Sequence, residues 1–264
     1  MQKELRFALY AIKKNLQNSA ELRTSFLMNI IGMVINNTSF ILLWLFFVKS
    51  VGIIGGWASA DIIGLNGYTA LCYGLVFSAA GGIRRMSEYT ASGAFDRFML
   101  SPKSLLLRIA TAYFSVSAIG DILFGISCLT IYAILIHANF FQVLLMLILT
   151  LVSTIVFLSA VIVIYSLSFF FTDAESVTRG IFELFFTPSL FHGGAFQGTM
   201  RFIFTFIIPS LLIGTLPVEI IKNISIEKLL LVVFLTIFWF IVSVKFFNWS
   251  IKKYESSNLM TFGN

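Results

Sequence analysis

Residues 140–171 read FFQVLLMLILTLVSTIVFLSAVIVIYSLSFFF, 32 positions without one Asp, Glu, Lys, Arg or His. At a rise of 1.5 Å per residue, about 20 apolar residues cross a hydrocarbon layer roughly 30 Å thick. The run is longer than a perpendicular crossing needs and is expected to tilt or to project beyond the hydrocarbon. On either side of it, further apolar runs occupy residues 26–48, 62–83, 109–136, 177–190 and 229–247. The whole chain of 264 residues is 58% hydrophobic and 11% charged, with mean hydropathy +0.95. Soluble domains are about 45–50% apolar and about 25% charged, so too little polar surface remains here to cover a water-facing globule. The expected fold is an all-α integral membrane protein with six transmembrane helices, forming a single domain over residues 1–264.

The flanks of these runs set the organisation. In residues 1–24, Leu5, Leu9, Ile12 and Leu16 recur at helical spacing, with Arg6, Lys13, Lys14 and Gln17 largely elsewhere on the wheel. This is the pattern of an amphipathic helix lying on a membrane surface. The run over 26–48 exceeds the roughly 7–15 apolar residues of a signal peptide and reads as a retained span. Residues 200–216 are apolar but interrupted by Pro209 and closed by Pro217. Such a break suggests re-entrant helices before the last span, whose backbone must be buried in protein or face a wet cavity; a single kinked helix is the alternative. With the N-terminus inside, fourteen of the 18 Lys and Arg residues fall on the cytoplasmic side, and Lys49, Arg201, Lys222 and Lys228 fall outside. That bias places both termini in the cytoplasm. It also assigns the net charge of +6 to topology and contact with anionic lipids, not to nucleic acid.

Local signals mark helix starts and helix contacts. Ser101-Pro102 has the chemistry of a helix entry, launching the third span. Thr172 and Glu175 fit a capping box, so a helix is expected to begin near Asp173. Gly67, Gly74 and Gly81, seven residues apart, form a seam along which another helix can approach closely. Asn29, Asn36 and Asn37 lie in the first span, where amides seek partners across helices or within their own. Asp121 lies in the third span. A mid-span aspartate costs roughly 2.5–3.5 kcal/mol against about 0.3–0.6 gained per Leu, Ile, Phe or Val, and the thirteen such residues in 109–136 outweigh it. Intramembrane carboxylates are functional suspects, so Asn36, Asn37, Asp121 and Glu183 are candidates for a transport pathway or for interhelical hydrogen bonds.

Other chemistries find little support. Cys72 and Cys128 are the only cysteines, both in apolar runs, and His137 and His192 the only histidines. Neither a metal site nor a catalytic nucleophile with its base is apparent, and there is no Gly-rich phosphate loop. No cofactor is expected on this chain. The polar stretch of length on the cytoplasmic side is 84–108. Here Arg85, Glu88, Asp96 and Arg97 alternate with Phe95, Phe98, Met99 and Leu100. A short helix exposing two aromatics and a methionine within a charged rim suits a groove on a soluble partner; a helix lying flat on the bilayer is the plainer reading.

The segment Ser92-Gly93-Ala94-Phe95-Asp96-Arg97-Phe98-Met99-Leu100-Ser101-Pro102, between the second and third of six spans, resembles that of the small permeases of type-2 ATP-binding-cassette (ABC) exporters. The likeness extends over the chain, from the surface helix to the proline-bearing segment before the last span. The resemblance implies two permeases, identical or related, joined to two cytoplasmic ABC ATPase subunits that bind ATP and Mg. It implies that 84–101 acts as a coupling helix, with Arg85, Glu88, Phe95, Asp96, Arg97, Phe98 and Met99 at the ATPase interface. Cargo in the family ranges over drugs, antimicrobial peptides, lipids and glycolipids. Two other classes share the composition: an integral-membrane enzyme and a non-transporting assembly subunit.

Overall fold

The computed structural model describes residues 2–52, 55–101 and 103–254. Helix α1 (Gln2–Ala20) precedes a long α2 (Arg23–Val51), and α3 (Ser59–Ala80) runs on through a tight turn into α4 (Met86–Ala91). The short α5 (Asp96–Met99) and α6 (Leu105–Ala110) lead to α7 (Ser117–Leu135) and α8 (Phe140–Ser166). Then come α9 (Ala174–Phe186), α10 (Gly198–Phe202), α11 (Thr215–Lys222) and α12 (Ile226–Ser250). Among the described residues, five stretches are long and apolar enough to cross a membrane: Arg23–Ser50, Ser59–Ala91, Ser117–Leu135, Phe140–Phe169 and Ile226–Lys253.

The sixth expected span is not among them. Within 177–190, α9 ends at Phe186 and continues as a 3-10 turn, Thr187–Leu190, tightened at Pro188. A 13-residue helix rises only about 20 Å. Its start is held to α4 by Ser87 Oγ and Thr178 Oγ1 at 3.0 Å. Its continuation reaches the far end of the bundle, where Phe191 and His192 meet Trp44.

One expected helix start moves, and another stands with a different cap. The third span begins at Ser117, not Ile109, because α6 stops at Ala110 and residues 111–116 turn before α7. Ser101 does not launch it, and Pro102 lies outside the described residues. Helix α9 does begin beside Asp173, but Asp173 itself caps it, accepting from the Ser176 N–H at 3.4 Å. The capping box that does form was not read from the sequence: Asn139 and Gln142 exchange bonds of 2.8 and 3.0 Å at the start of α8.

Helix α3 is the buried centre, and the glycine seam explains its closest contact. A Cβ on Gly67 would lie 3.0 Å from Leu129, and one on Gly74 would lie 2.8 Å from the Ala118 carbonyl oxygen, both on α7. The seam ends at Gly81, which faces the Tyr113 carbonyl in the turn before α7. From the other side, Gly125 lets Leu71 sit against the α7 backbone. Small residues at these positions allow backbone-to-backbone packing that lipid cannot drive by hydrophobicity.

The stretch 200–216 is broken as its prolines suggested. Helix α10 passes into a π turn, Ile203–Ile207, and the chain then winds through Leu211, Leu212 and Ile213, all fully buried, into α11. Ser153 of α8 donates to the Leu212 carbonyl at 3.0 Å, and Gln142 Nε2 reaches the Ile221 carbonyl at 3.4 Å. Eleven residues of α8 separate these anchors, so this segment dips about 16 Å along the helix. Residues 209–218 of it are buried, whereas Phe206 and Ile207 of the π turn are exposed.

Charge separates by end. One end gathers α1, α4–α6 and the finish of α12: Asn15 donates to the Thr111 carbonyl and Tyr254 to Asp96. At the other end, three of the four basic residues are ion-paired. Lys222 meets Asp61 at 2.7 Å, while Arg201 and Lys228 meet Glu219 at 2.7 and 3.1 Å. His192 is buried there between Trp44 and Trp57, its Nδ1 without a hydrogen-bond partner.

Two predictions follow from this packing. Gly74→Val places a branched side chain against the Ala118 carbonyl and should cost about 1–3 kcal/mol; thermal unfolding in detergent should show a clearly lowered midpoint with no gain elsewhere. Burial pushes the His192 imidazole below its ordinary value of 6.5. The unfolded chain therefore takes up its proton first as pH falls, so this contribution is complete above about pH 6.5 and is lost below it. Melting midpoints of wild type should drop through that acid range, and His192→Phe should flatten the dependence.

Candidate functional site

Two neighbouring cavities and the basic end of the bundle hold the polar residues of interest. The first cavity, about 250 Å³, lies among α2, α3, α7 and the finish of α9. Asn36, Asn37 and Asp121 all line it. Asn37 Nδ2 donates to Asp121 Oδ1 at 2.7 Å across the α2–α7 contact, and Asp121 Oδ2 is buried with no partner among the described residues. The approach is close because Gly120 sets the Ile30 carbonyl and Met33 of α2 directly against α7. Asn29, by contrast, bonds the Ser25 carbonyl of its own helix at 2.8 Å. Sequence reasoning missed three members of this lining, Asn66, Thr69 and Tyr73 of α3. The signal was available: Asn66 adjoins Gly67 of the seam and is polar within an apolar run.

The second cavity, about 430 Å³, opens towards the basic end and is lined by Arg84, Arg85, Tyr113, Tyr165 and Arg179, among others. Arg84 joins the two. Its Nη1 donates to the Tyr73 hydroxyl at 2.8 Å, and its guanidinium lies over the Phe77 and Phe182 rings. Glu183 lines neither cavity. It lies exposed on α9, in register with Arg179 and Glu175 one and two turns earlier. The structure therefore brings Asn36, Asn37 and Asp121 together and leaves Glu183 apart.

The segment 84–101 folds against the basic end, and here one expectation is corrected. Phe95 and Phe98 are not exposed; they are buried, Phe95 completely. Gly93, at φ 69°, turns the chain in a left-handed conformation suited to glycine. The Phe95 ring then enters a socket made by Phe169 at the end of α8 (5.1 Å) and Tyr254 beyond α12 (4.7 Å). Phe98 packs on Tyr89 at 5.1 Å. Arg108 closes the arrangement with bonds to the Phe98 and Arg97 carbonyls, and Tyr254 donates to Asp96 Oδ1 at 2.9 Å. Phe95 turns inward onto partners about 75 and 160 residues further along the chain, beyond any local pattern.

Met99 and Leu100 project instead, 53% and 87% exposed. Arg85, Glu88 and Arg97 are exposed as well. Arg85 and Glu88 form a loose surface pair at 3.8 Å, and the Arg85 guanidinium also lies 3.7 Å from the Tyr113 ring centroid. Arg97 covers the rings of Tyr89 and Phe98. The apolar, charge-rimmed tip that the sequence suggested is present, built from Met99 and Leu100 in place of the phenylalanines.

A sequence profile described as ABC-2 family transporter protein matches residues 33–258, from the middle of α2 past the end of α12. The chain belongs to this family. It is an ABC-2 type permease, a multi-pass membrane protein of the ABC transporter class. A search of the curated proteins finds no match. The matched range contains both cavities, the aromatic socket and the exposed tip of the permease, and leaves out α1 and the start of α2.

Truncating a fully buried phenylalanine costs about 3–5 kcal/mol. Phe95→Ala should therefore lower the melting midpoint of the purified permease strongly, a result that a solvent-exposed docking aromatic would not give.

Proposed function

We propose that the chain is the permease subunit of an ABC exporter. It moves an amphipathic or lipid-like cargo, such as a drug, antimicrobial peptide, lipid or glycolipid, across a bacterial-type cytoplasmic membrane. In this reading the chain crosses six times, with α9 and its 3-10 continuation as the fifth and shortest crossing, and both termini are cytoplasmic. The chain has no catalytic role of its own: a separate cytoplasmic ATPase pair binds ATP and Mg and supplies the energy.

The observation that carries this reading is the mechanical connection at the basic end. Residues 84–101 continue directly from α3, are bonded to α9 through Ser87 and Thr178, and are seated against the ends of α8 and α12 through Phe95. A push on the Met99–Leu100 tip is thereby passed to four membrane helices at once. Phe95, Phe98 and Asp96 hold the lever to the bundle, while Arg85, Glu88, Arg97, Met99 and Leu100 are the groups presented to the ATPase. The cavities holding Arg84, Asn36, Asn37 and Asp121 form the cargo path beside it.

A second permease, identical or related, fits the exposed stripe on α9. Beyond Glu175 and Arg179 at the cavity mouth, Glu183 is exposed and lines neither cavity, and a charged side chain at membrane depth faces a bundle interior or a wet cavity, not lipid. The two stripes would then border a shared path, with Glu183 lining it from α9.

The test is co-expression with candidate ABC ATPases from the same genome. Wild type should retain the ATPase through purification and stimulate its hydrolysis in lipid nanodiscs. The double variant Met99→Asp, Leu100→Asp should keep the wild-type melting midpoint but lose at least fivefold of that stimulation. Full stimulation by the folded double variant would refute the assignment of this tip as the coupling contact.

A further inference from the structure

We infer that the cavity among α2, α3, α7 and α9 is a binding site for an organic cation, an ammonium group carried on an apolar body. The inference rests on the cargo-path reading and names the chemistry that path selects.

Three features point to a positive ligand. Asp121 is 4% exposed and lines the cavity, and its Oδ2 is buried without a hydrogen-bond partner among the described residues. Buried carboxylate oxygens are ordinarily paired. A proton on Oδ2 would meet no acceptor in the described structure, so protonation alone leaves the atom unsatisfied, whereas an N–H donor satisfies it. Secondly, the nearby amides each commit a donor within the protein. Asn37 Nδ2 donates to Asp121 Oδ1, and Asn66 Nδ2 to the Ile62 carbonyl at 2.9 Å, while neither amide oxygen accepts a bond among the described residues. Thr69 likewise directs its hydroxyl to the Leu65 and Ser189 carbonyls. An ammonium group brings several N–H donors to such a set.

The third feature is the rest of the wall. Phe40, Phe124 and Phe186 also line the cavity, and aromatic faces attract cations while accepting apolar groups. No Lys or Arg is among the lining residues. The nearest guanidinium, Arg84, is held on the Tyr73 hydroxyl and belongs to the neighbouring cavity. That arrangement places positive charge at the basic mouth and negative charge deeper in. An anionic body entering the deeper cavity would meet Asp121 with no counter-charge on the wall, so a carboxylate or phosphate is rejected where an ammonium is held.

The probe is phenethylammonium, with phenylacetate and 2-phenylethanol as anionic and neutral counterparts of similar shape. Binding is read by saturation-transfer NMR on the full permease in nanodiscs, and no ATPase is needed. Wild type should bind phenethylammonium at least tenfold more tightly than either counterpart. Asp121→Asn should lose that preference, and Asp121→Glu should keep it. Equal binding of the three probes to wild type, or no binding of phenethylammonium, overturns the cation site; this comparison holds even if the Asp121→Asn variant fails to fold. Undiminished charge preference in a folded Asp121→Asn variant overturns it too. The exporter reading fails separately, by absence of ATPase capture and stimulation. Cation binding without an ATPase would leave the site standing, and a coupled ATPase with charge-blind binding would leave the exporter standing.

Discussion

The near-contact of α3 with α7 is the arrangement from which the rest of the bundle takes its geometry. Lipid tails give two apolar helices no hydrophobic reason to associate, so the contact depends on backbone approach and dispersion. Glycines on both helices supply it: Gly67 and Gly74 on α3, Gly125 on α7. With that distance fixed, Gly120 can sit against the Ile30 carbonyl of α2, and Asp121 comes within 2.7 Å of Asn37. A single polar pair in hydrocarbon then orients α2, a helix that otherwise buries little of its surface in the protomer. Partners for buried polar groups are costly to remove, so the Asn37–Asp121 bond defines one side of a cavity as well as a helix contact.

The basic end is organised by aromatic packing. Phe95, Phe169 and Tyr254 come from three distant parts of the chain and interlock at 4.7–5.9 Å. Ring pairs of this kind add about 0.5–1.5 kcal/mol each beyond the area they bury. Their main consequence here is mechanical, since α5 cannot move without disturbing the ends of α8 and α12. The adjoining exposed residues, Met99 and Leu100, are adaptable apolar groups within a charged surround. A rigid inner socket and a soft outer tip are thereby made from consecutive turns of one short segment.

The opposite end meets a different constraint. Its basic residues would oppose the charge bias of the sequence if left free, and three of them are neutralised by Asp61 and Glu219. These pairs also close the dipping segment between α10 and α12. Arg201 reaches the Gly193 carbonyl while holding Glu219, and Lys222 bonds both Asp61 and the Gly56 carbonyl. The loops there are therefore tied down by charge-assisted bonds, where the basic end is tied down by rings.

Hydropathy alone determined that this chain belongs in a membrane, because about 20 apolar residues in succession have no other stable environment. The glycine spacing on α3 and the proline break before α12 were equally readable, since each is a local steric fact. The expectation for 84–101 was half right: the polar segment and its apolar tip were legible, but the direction of Phe95 was not. Period and composition reveal which residues share a helix face, while burial depends on what that face meets, and Phe169 and Tyr254 are far off in sequence. The short α9 escaped for a related reason, as its length is set by Pro188 and by anchors on α3 and α4 that no run of apolar residues encodes. Asn36, Asn37 and Asp121 could be named as candidates from their polarity in apolar spans. That they, Asn66 and three phenylalanines surround one cavity was decided only by tertiary structure, because side chains on four helices converge only when close packing of those helices fixes their rotation about their own axes.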